Sequence, residues 1–217
     1  MKKRAALGLI TAMAISTSVA MASPVDMEEG KWNVNIGATF SGDTEVDDGY
    51  DTVKIDGDTG YYGGVTYGIN DKWGVQLDYN NYGSEISSEG AELEVDIKAI
   101  EFNVLYKVNP YVNAFVGYVK ADGDLDLKYE GASILKDSAD TDGVQVGLTG
   151  SYPFADRWQA FGKVALGNNN SMYELGVSYA VADNWDIDLS YRNAQYDDFE
   201  GLDAEIDGIR FGVSTSF

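Results

Sequence analysis

The chain has no histidine and no cysteine. Without cysteine there is no disulfide, no thiol nucleophile and no lipid-modified N-terminal cysteine. Without histidine, the side chain that most often serves as general acid or base near neutral pH is missing, so no Ser-His or Cys-His pair can be assembled. Paired carboxylates could still hydrolyse a glycoside. Asp and Glu number 36, however, and the proximity of two among so many points nowhere. The reading is a non-enzyme with no cofactor and no dedicated metal site. Positive charge is scarce too: 15 Lys and Arg leave a net charge of −21. That balance argues against nucleic acid or an anionic lipid surface as a partner. Acidity alone would suit a disordered chain, but 15 Tyr, 8 Phe and 4 Trp do not. Beyond the N-terminal segment, no run approaches the roughly 18 apolar residues of a spanning helix.

What is present begins with a leader. Lys2, Lys3 and Arg4 precede an uncharged Ala5–Val19 stretch, and Ala20-Met21-Ala22 offers the small-x-small pattern of a cleavage site. This predicts a secretory signal peptide over residues 1–22, with cleavage before Ser23. The mature chain, residues 23–217, is then one domain, and its net charge moves from −21 to −24 because only Lys and Arg are removed.

The mature chain alternates with a period of two. Trp73, Val75, Leu77 and Tyr79 face away from Gly74, Gln76 and Asp78; Tyr173, Leu175, Val177, Tyr179 and Val181 oppose Glu174, Gly176, Ser178 and Ala180. At the C-terminus Ile209, Phe211, Val213, Thr215 and Phe217 oppose Arg210, Gly212, Ser214 and Ser216. Strict alternation is the pattern of a strand with two unlike faces. Glycine recurs on the polar parity, as the interior of a narrow closed barrel requires.

A short repeat marks the turns. Tyr67-Gly-Ile-Asn-Asp-Lys-Trp73, Tyr152-Pro-Phe-Ala-Asp-Arg-Trp158 and Tyr179-Ala-Val-Ala-Asp-Asn-Trp185 share one form, and Tyr106-Lys-Val-Asn-Pro-Tyr111 is a copy shorter by one. Each reads as a strand ending on an aromatic, a tight turn, and a strand beginning on an aromatic. The eight flanking residues (Tyr67, Trp73, Tyr106, Tyr111, Tyr152, Trp158, Tyr179, Trp185) sit where an interfacial girdle belongs. Between these turns lie acidic connections at residues 41–58, 84–96, 120–142 and 197–207, expected as long loops. Short turns on one side and long connections on the other is the asymmetry of an outer-membrane barrel, with short turns and both termini periplasmic.

An opening strand, four hairpins and a closing strand predict a transmembrane antiparallel up-and-down β-barrel of ten strands, with eight as the alternative should one hairpin lie outside. A closed barrel is one of two ways to pair every backbone group within hydrocarbon. The chain resembles the small Gram-negative outer-membrane barrels typified by the transmembrane domain of OmpA, OmpX and opacity-type surface antigens. The resemblance rests on the signal peptide, the Tyr…Asp-x-Trp turns and the closing IDGIRFGVSTSF. It implies location in the cell outer membrane, contact with membrane lipid and lipopolysaccharide, and a role for Phe217 as the signal read by the barrel-assembly machinery. The family's fold serves many tasks, so fold alone does not fix function.

Inward parity places Glu101, Lys163, Glu174, Arg192 and Arg210 at similar heights. They form either a salt-bridged plug or a selective constriction, and the narrowness of small barrels favours the plug. Asp122-Gly-Asp124-Leu-Asp126 resembles the start of a calcium loop, but Ser133 stands where the bidentate Glu belongs. The acidic connections are candidates for an external ligand or divalent cation. The expectation is a monomer in a structural or surface-interaction role, with a narrow porin-like channel for small solutes or cations as the alternative.

Overall fold

A computed structural model describes residues 27–47, 52–88, 91–130, 132–199 and 201–217. The expected signal peptide lies outside the described residues. The first strands are β1 (Trp32–Asp47), β2 (Thr52–Asp56), β3 (Thr59–Gly68), β4 (Trp73–Ser88) and β5 (Ala91–Asn109). They are followed by β6 (Val112–Tyr129), β7 (Ala132–Ala155), β8 (Trp158–Gly167), β9 (Asn170–Ala182), β10 (Trp185–Phe199) and β11 (Leu202–Ser216). Neighbours pair antiparallel in chain order, and β11 pairs with β1, so ten strands close into a barrel. The short β2 is the exception, pairing only with the upper part of β1. The seam is tied at its lower end by reciprocal backbone bonds between Trp32 and Phe217, 2.9 and 3.0 Å.

All four aromatic turns connect adjacent strands, at β3–β4, β5–β6, β7–β8 and β9–β10. In the first, Asn70 Oδ1 accepts from the backbone N–H groups of Lys72 and Trp73, both at 2.9 Å, so the asparagine side chain itself builds the turn. The connections expected as long loops are different. Residues 84–96, 120–142 and 197–207 are largely strand: β4–β5, β6–β7 and β10–β11 run on as ladders as far as Ser88↔Ala91, Tyr129↔Ala132 and Phe199↔Leu202. The reason lies in the alternation, which continues through Glu92-Leu-Glu-Val-Asp-Ile-Lys98 with charge on one parity and aliphatic side chains on the other.

These extensions make a second tier. In the lower tier, Ile36, Leu77, Phe102, Val146, Leu175 and Phe211 face outward and are exposed, while Asn35, Gln76, Glu101, Lys163, Glu174 and Arg210 are buried inside. In the upper tier the faces exchange character. Val95, Ile97, Ala121, Ala204 and Ile206 are buried inside, and Asp96, Asp124, Asp142, Asp203 and Glu205 face out. The change occurs within single strands: on β11, inward Ile206 gives way to Arg210, and outward Asp207 to Ile209.

The upper tier is also narrower, because β3, β8 and β9 stop short of it. Above the β8–β9 turn, β7 meets β10 where Thr141 Oγ1 donates to the Asp197 carbonyl at 2.8 Å. Above β3, the hydroxyls of Thr44 on β1 and Ser84 on β4 lie 2.5 Å apart, and Gly57 bridges to Ser84. Eight strands line this part: β1, β2, β4–β7, β10 and β11. The short outer turn Gly167–Asn170 terminates the wall with its asparagines. Asn168 Oδ1 accepts from the Val144 N–H, and Asn169 Nδ2 donates to the Asp142 carbonyl, both at 2.9 Å. Backbone groups of β7 that lose their ladder partner there are satisfied by side chains instead.

Candidate functional site

The lower lumen is filled by one ionic layer. Lys163 on β8 donates to Asp78 on β4 at 2.7 Å and to Glu101 on β5 at 2.9 Å. Arg192 on β10 reaches Glu101 at 2.5 Å and Glu174 on β9 at 3.6 Å. Arg210 on β11 donates to Glu174 at 2.6 Å and to Asn80 at 3.3 Å. Ser190 donates a further bond to Glu174 at 2.7 Å. All five residues expected from inward parity thus stand in one connected group. Two members were not singled out in the sequence. Asp78 balances the layer at three carboxylates against three cations, and the Arg210 guanidinium stacks 3.5 Å from the centre of the Tyr62 ring. Both lie on the polar parity of their strands, and that parity was the available signal.

Glycine makes the layer compact. A Cβ at Gly212 or Gly37 would collide with the Tyr62 ring, and one at Gly176 would come within 2.5 Å of Phe161. Each of these three glycines therefore leaves the volume that an inward aromatic occupies. What remains open is a cavity of about 30 Å³ beside Asn35, Tyr62, Lys163 and Arg192, room for about one water. Beneath it, Met27 is buried against Gly74, and its carbonyl accepts from Lys107 Nζ at 3.2 Å. Among the described residues, the buried side chains of Gln76, Asn103, Thr149, Ser178 and Asp188 stand in the lumen between the ionic layer and the periplasmic end.

The girdle residues pair across strands: Trp73 with Tyr106 at 4.9 Å, Tyr111 with Tyr152 at 5.4 Å, and Trp158 with Tyr179 at 4.9 Å between ring centres. Tyr67 pairs with Trp32 at 4.5 Å, an aromatic outside the repeat, and Trp185 faces outward, half exposed. Phe217 is exposed at the foot of the seam.

The outer wall of the upper tier carries carboxylates partnered by lysine. Lys98 meets Asp124 at 2.7 Å, Lys120 meets Asp122 at 2.7 Å, and Lys136 meets Asp126 at 2.9 Å. Asp122, Asp124 and Asp126 therefore stand on the outward parity of strand β6, each with a lysine partner. Glu85, Glu92 and Glu94 bring carboxylate oxygens within 4.8 Å of one another. Lys128 already bonds Glu92 at 3.1 Å and also bonds Glu94. Those bonds hold the Glu94 carboxyl below its ordinary value and the Lys128 ammonium above its own. Hydrogen bonds from Ser133 and Lys136 hold Asp126 low.

Comparison with known proteins places this architecture. The outer membrane protein beta-barrel domain matches residues 7–217. Among solved structures, Ail, the attachment invasion locus protein of Yersinia pestis in complex with the heparin analogue sucrose octasulfate, superposes with a TM-score of 0.53 at 14% identity, over 88% of this chain and 100% of that one. The outer membrane protease OmpT of Escherichia coli gives a TM-score of 0.57 at 11% identity, over 86% and 97% of the two chains. Among curated proteins, the LPS-assembly protein LptD of Salmonella typhi is 25% identical across 95% of this chain; the chain spans 28% of the length of that relative. Identities this low to the solved structures establish the fold alone.

Proposed function

The chain belongs to the family of outer membrane protein beta-barrel domains and resides in the Gram-negative outer membrane, and from that premise we propose that it is a non-enzymatic, non-conducting barrel whose raised outer tier is a surface-interaction element. The observation that carries the reading is the neutralised ionic layer, whose own cavity is about 30 Å³. A solute-sized path would require several buried ion pairs to part together. The absence of histidine supports a role without catalysis.

The acidic outer wall repels polyanions, so an external partner of this surface is neutral or cationic. The lower belt meets membrane lipid, with lipopolysaccharide around the base of the upper tier. The exposed Phe217 at the seam is the element offered to the barrel-assembly machinery, and the finished protein works as a monomer. Conductance of the refolded protein in a planar bilayer tests the proposal. A silent bilayer is expected; a stable open state with cation preference would establish the narrow-channel alternative instead.

A further inference from the structure

The upper tier holds a cavity that the ionic layer does not explain. Its volume is about 270 Å³, against about 30 Å³ for the cavity in the ionic layer. The walls come from six extended strands and β2, with Ile55, Leu93, Val95, Ile97, Phe199 and Ala204 among the lining residues. Phe199 is turned inward by the irregularity after Tyr196, and its ring leans across the barrel onto Gly123. The tier is not an open tube. Tyr82, Ala99, Ala194, Tyr196 and Ile206, all at most 3% exposed, fill the axis between the cavity and the ionic layer. The result is a blind cup facing the cell exterior.

An apolar surface of this kind would ordinarily collapse to a packed core, since voids forfeit dispersion contacts. Here the ladders of β4–β7 hold their walls apart, and an eight-stranded ring is the size at which a barrel holds one small ligand. A dry apolar cavity of about 150 Å³ suffices for benzene, so this cup admits one or two rings or a short aliphatic chain. Its rim carries Asp137, which disfavours an anionic head group, whereas Asp124 turns outward to Lys98. We propose that the upper tier is a binding site for a small, uncharged, apolar molecule, about one to two rings in size, entering from outside the cell. This goes beyond a surface-interaction role, and the site is separate from the ionic layer.

The test uses the refolded full barrel in nanodiscs, with Ile, Leu and Val methyls labelled for NMR and naphthalene as the probe. Saturable shifts are expected at Ile55, Leu93, Val95 and Ile97. Filling the cup with Ala204→Trp should weaken binding at least about tenfold. Ala139→Phe serves as a second filling variant, and heat-modifiable gel migration reports that each is folded. Replacing naphthalene by 2-naphthoate should also weaken binding about tenfold, through the acidic rim. Shifts confined to lipid-facing methyls such as Ile100, Val146 and Leu175, rising without saturation, would mean partition into the bilayer and would overturn the proposal. So would unchanged binding in both folded filling variants, or equal binding of the carboxylate.

Discussion

Two tiers of one sheet obey opposite solvents. Along β11 the outward residues read Asp203, Glu205, Asp207 and then Ile209, Phe211, Val213, while the inward ones pass from Ala204 and Ile206 to Arg210 and Ser214. β5 repeats the exchange, with Asp96 and Lys98 outside Ile97 and Ala99, then Ile100 and Phe102 outside Glu101 and Asn103. At the crossing β1 shifts register against β11 between Ser41 and Thr44, but the ladder β5–β6 continues residue for residue from Tyr106↔Ala114 to Ala91↔Tyr129. Along that ladder only the surroundings differ. In hydrocarbon, apolar side chains face out and polar ones must satisfy each other inside; in water, the hydrophobic effect drives the aliphatic parity inward. A β-barrel can therefore cross a solvent boundary by exchanging side-chain types on a fixed pleat.

The comparison breaks most severely at the ionic layer. Arg192→Ala leaves Glu101 buried with one cation fewer, and unpairing a buried charge costs about 3–5 kcal/mol. Urea midpoints of the folded band in lipid should fall accordingly. Next comes a matched pair on one parity of β11: Phe211→Arg, facing lipid, should cost about 2–4 kcal/mol. Glu205→Arg, facing water, should stay within about 0.5 kcal/mol. Equal costs would erase the distinction between tiers. The smallest effect concerns pH. Glu94 and Asp126 have folded values held below the ordinary 4.5 and 3.8, so their bonds contribute fully above those values and are lost as pH falls through the lowered ones. Proteolytic nicking at the β4–β5 and β6–β7 tips should rise on acidification through that window, with the lower barrel unaffected.

Much of the lower tier was legible in the sequence. The four aromatic turns gave the hairpins, the seam and the ten-strand closure, because a period-two pattern bounded by Asn, Asp and Pro leaves few other arrangements. Inward parity also found five members of the ionic layer; Asp78 and Tyr62 escaped because cross-barrel distances are not encoded along a strand. The upper tier was misjudged as loop. Its acids look like solvated connection when counted, and only the parity of Leu93, Val95 and Ile97 between them marks a ladder. The narrowing to eight strands was beyond reach, since it arises from β3, β8 and β9 ending early relative to neighbours far away in sequence.

The direct test of the inverted pleat uses the cysteine-free background. Single cysteines at positions 203, 205, 207, 209, 211 and 213 of β11 would each carry a spin label in reconstituted membranes, and collision with oxygen and with a water-soluble nickel chelate would be measured. Labels at 209, 211 and 213 should favour oxygen, and those at 203, 205 and 207 should favour the chelate, with the change falling between 207 and 209. Oxygen-favoured collisions at 203 and 205, or a gradual drift with no step, would contradict the account.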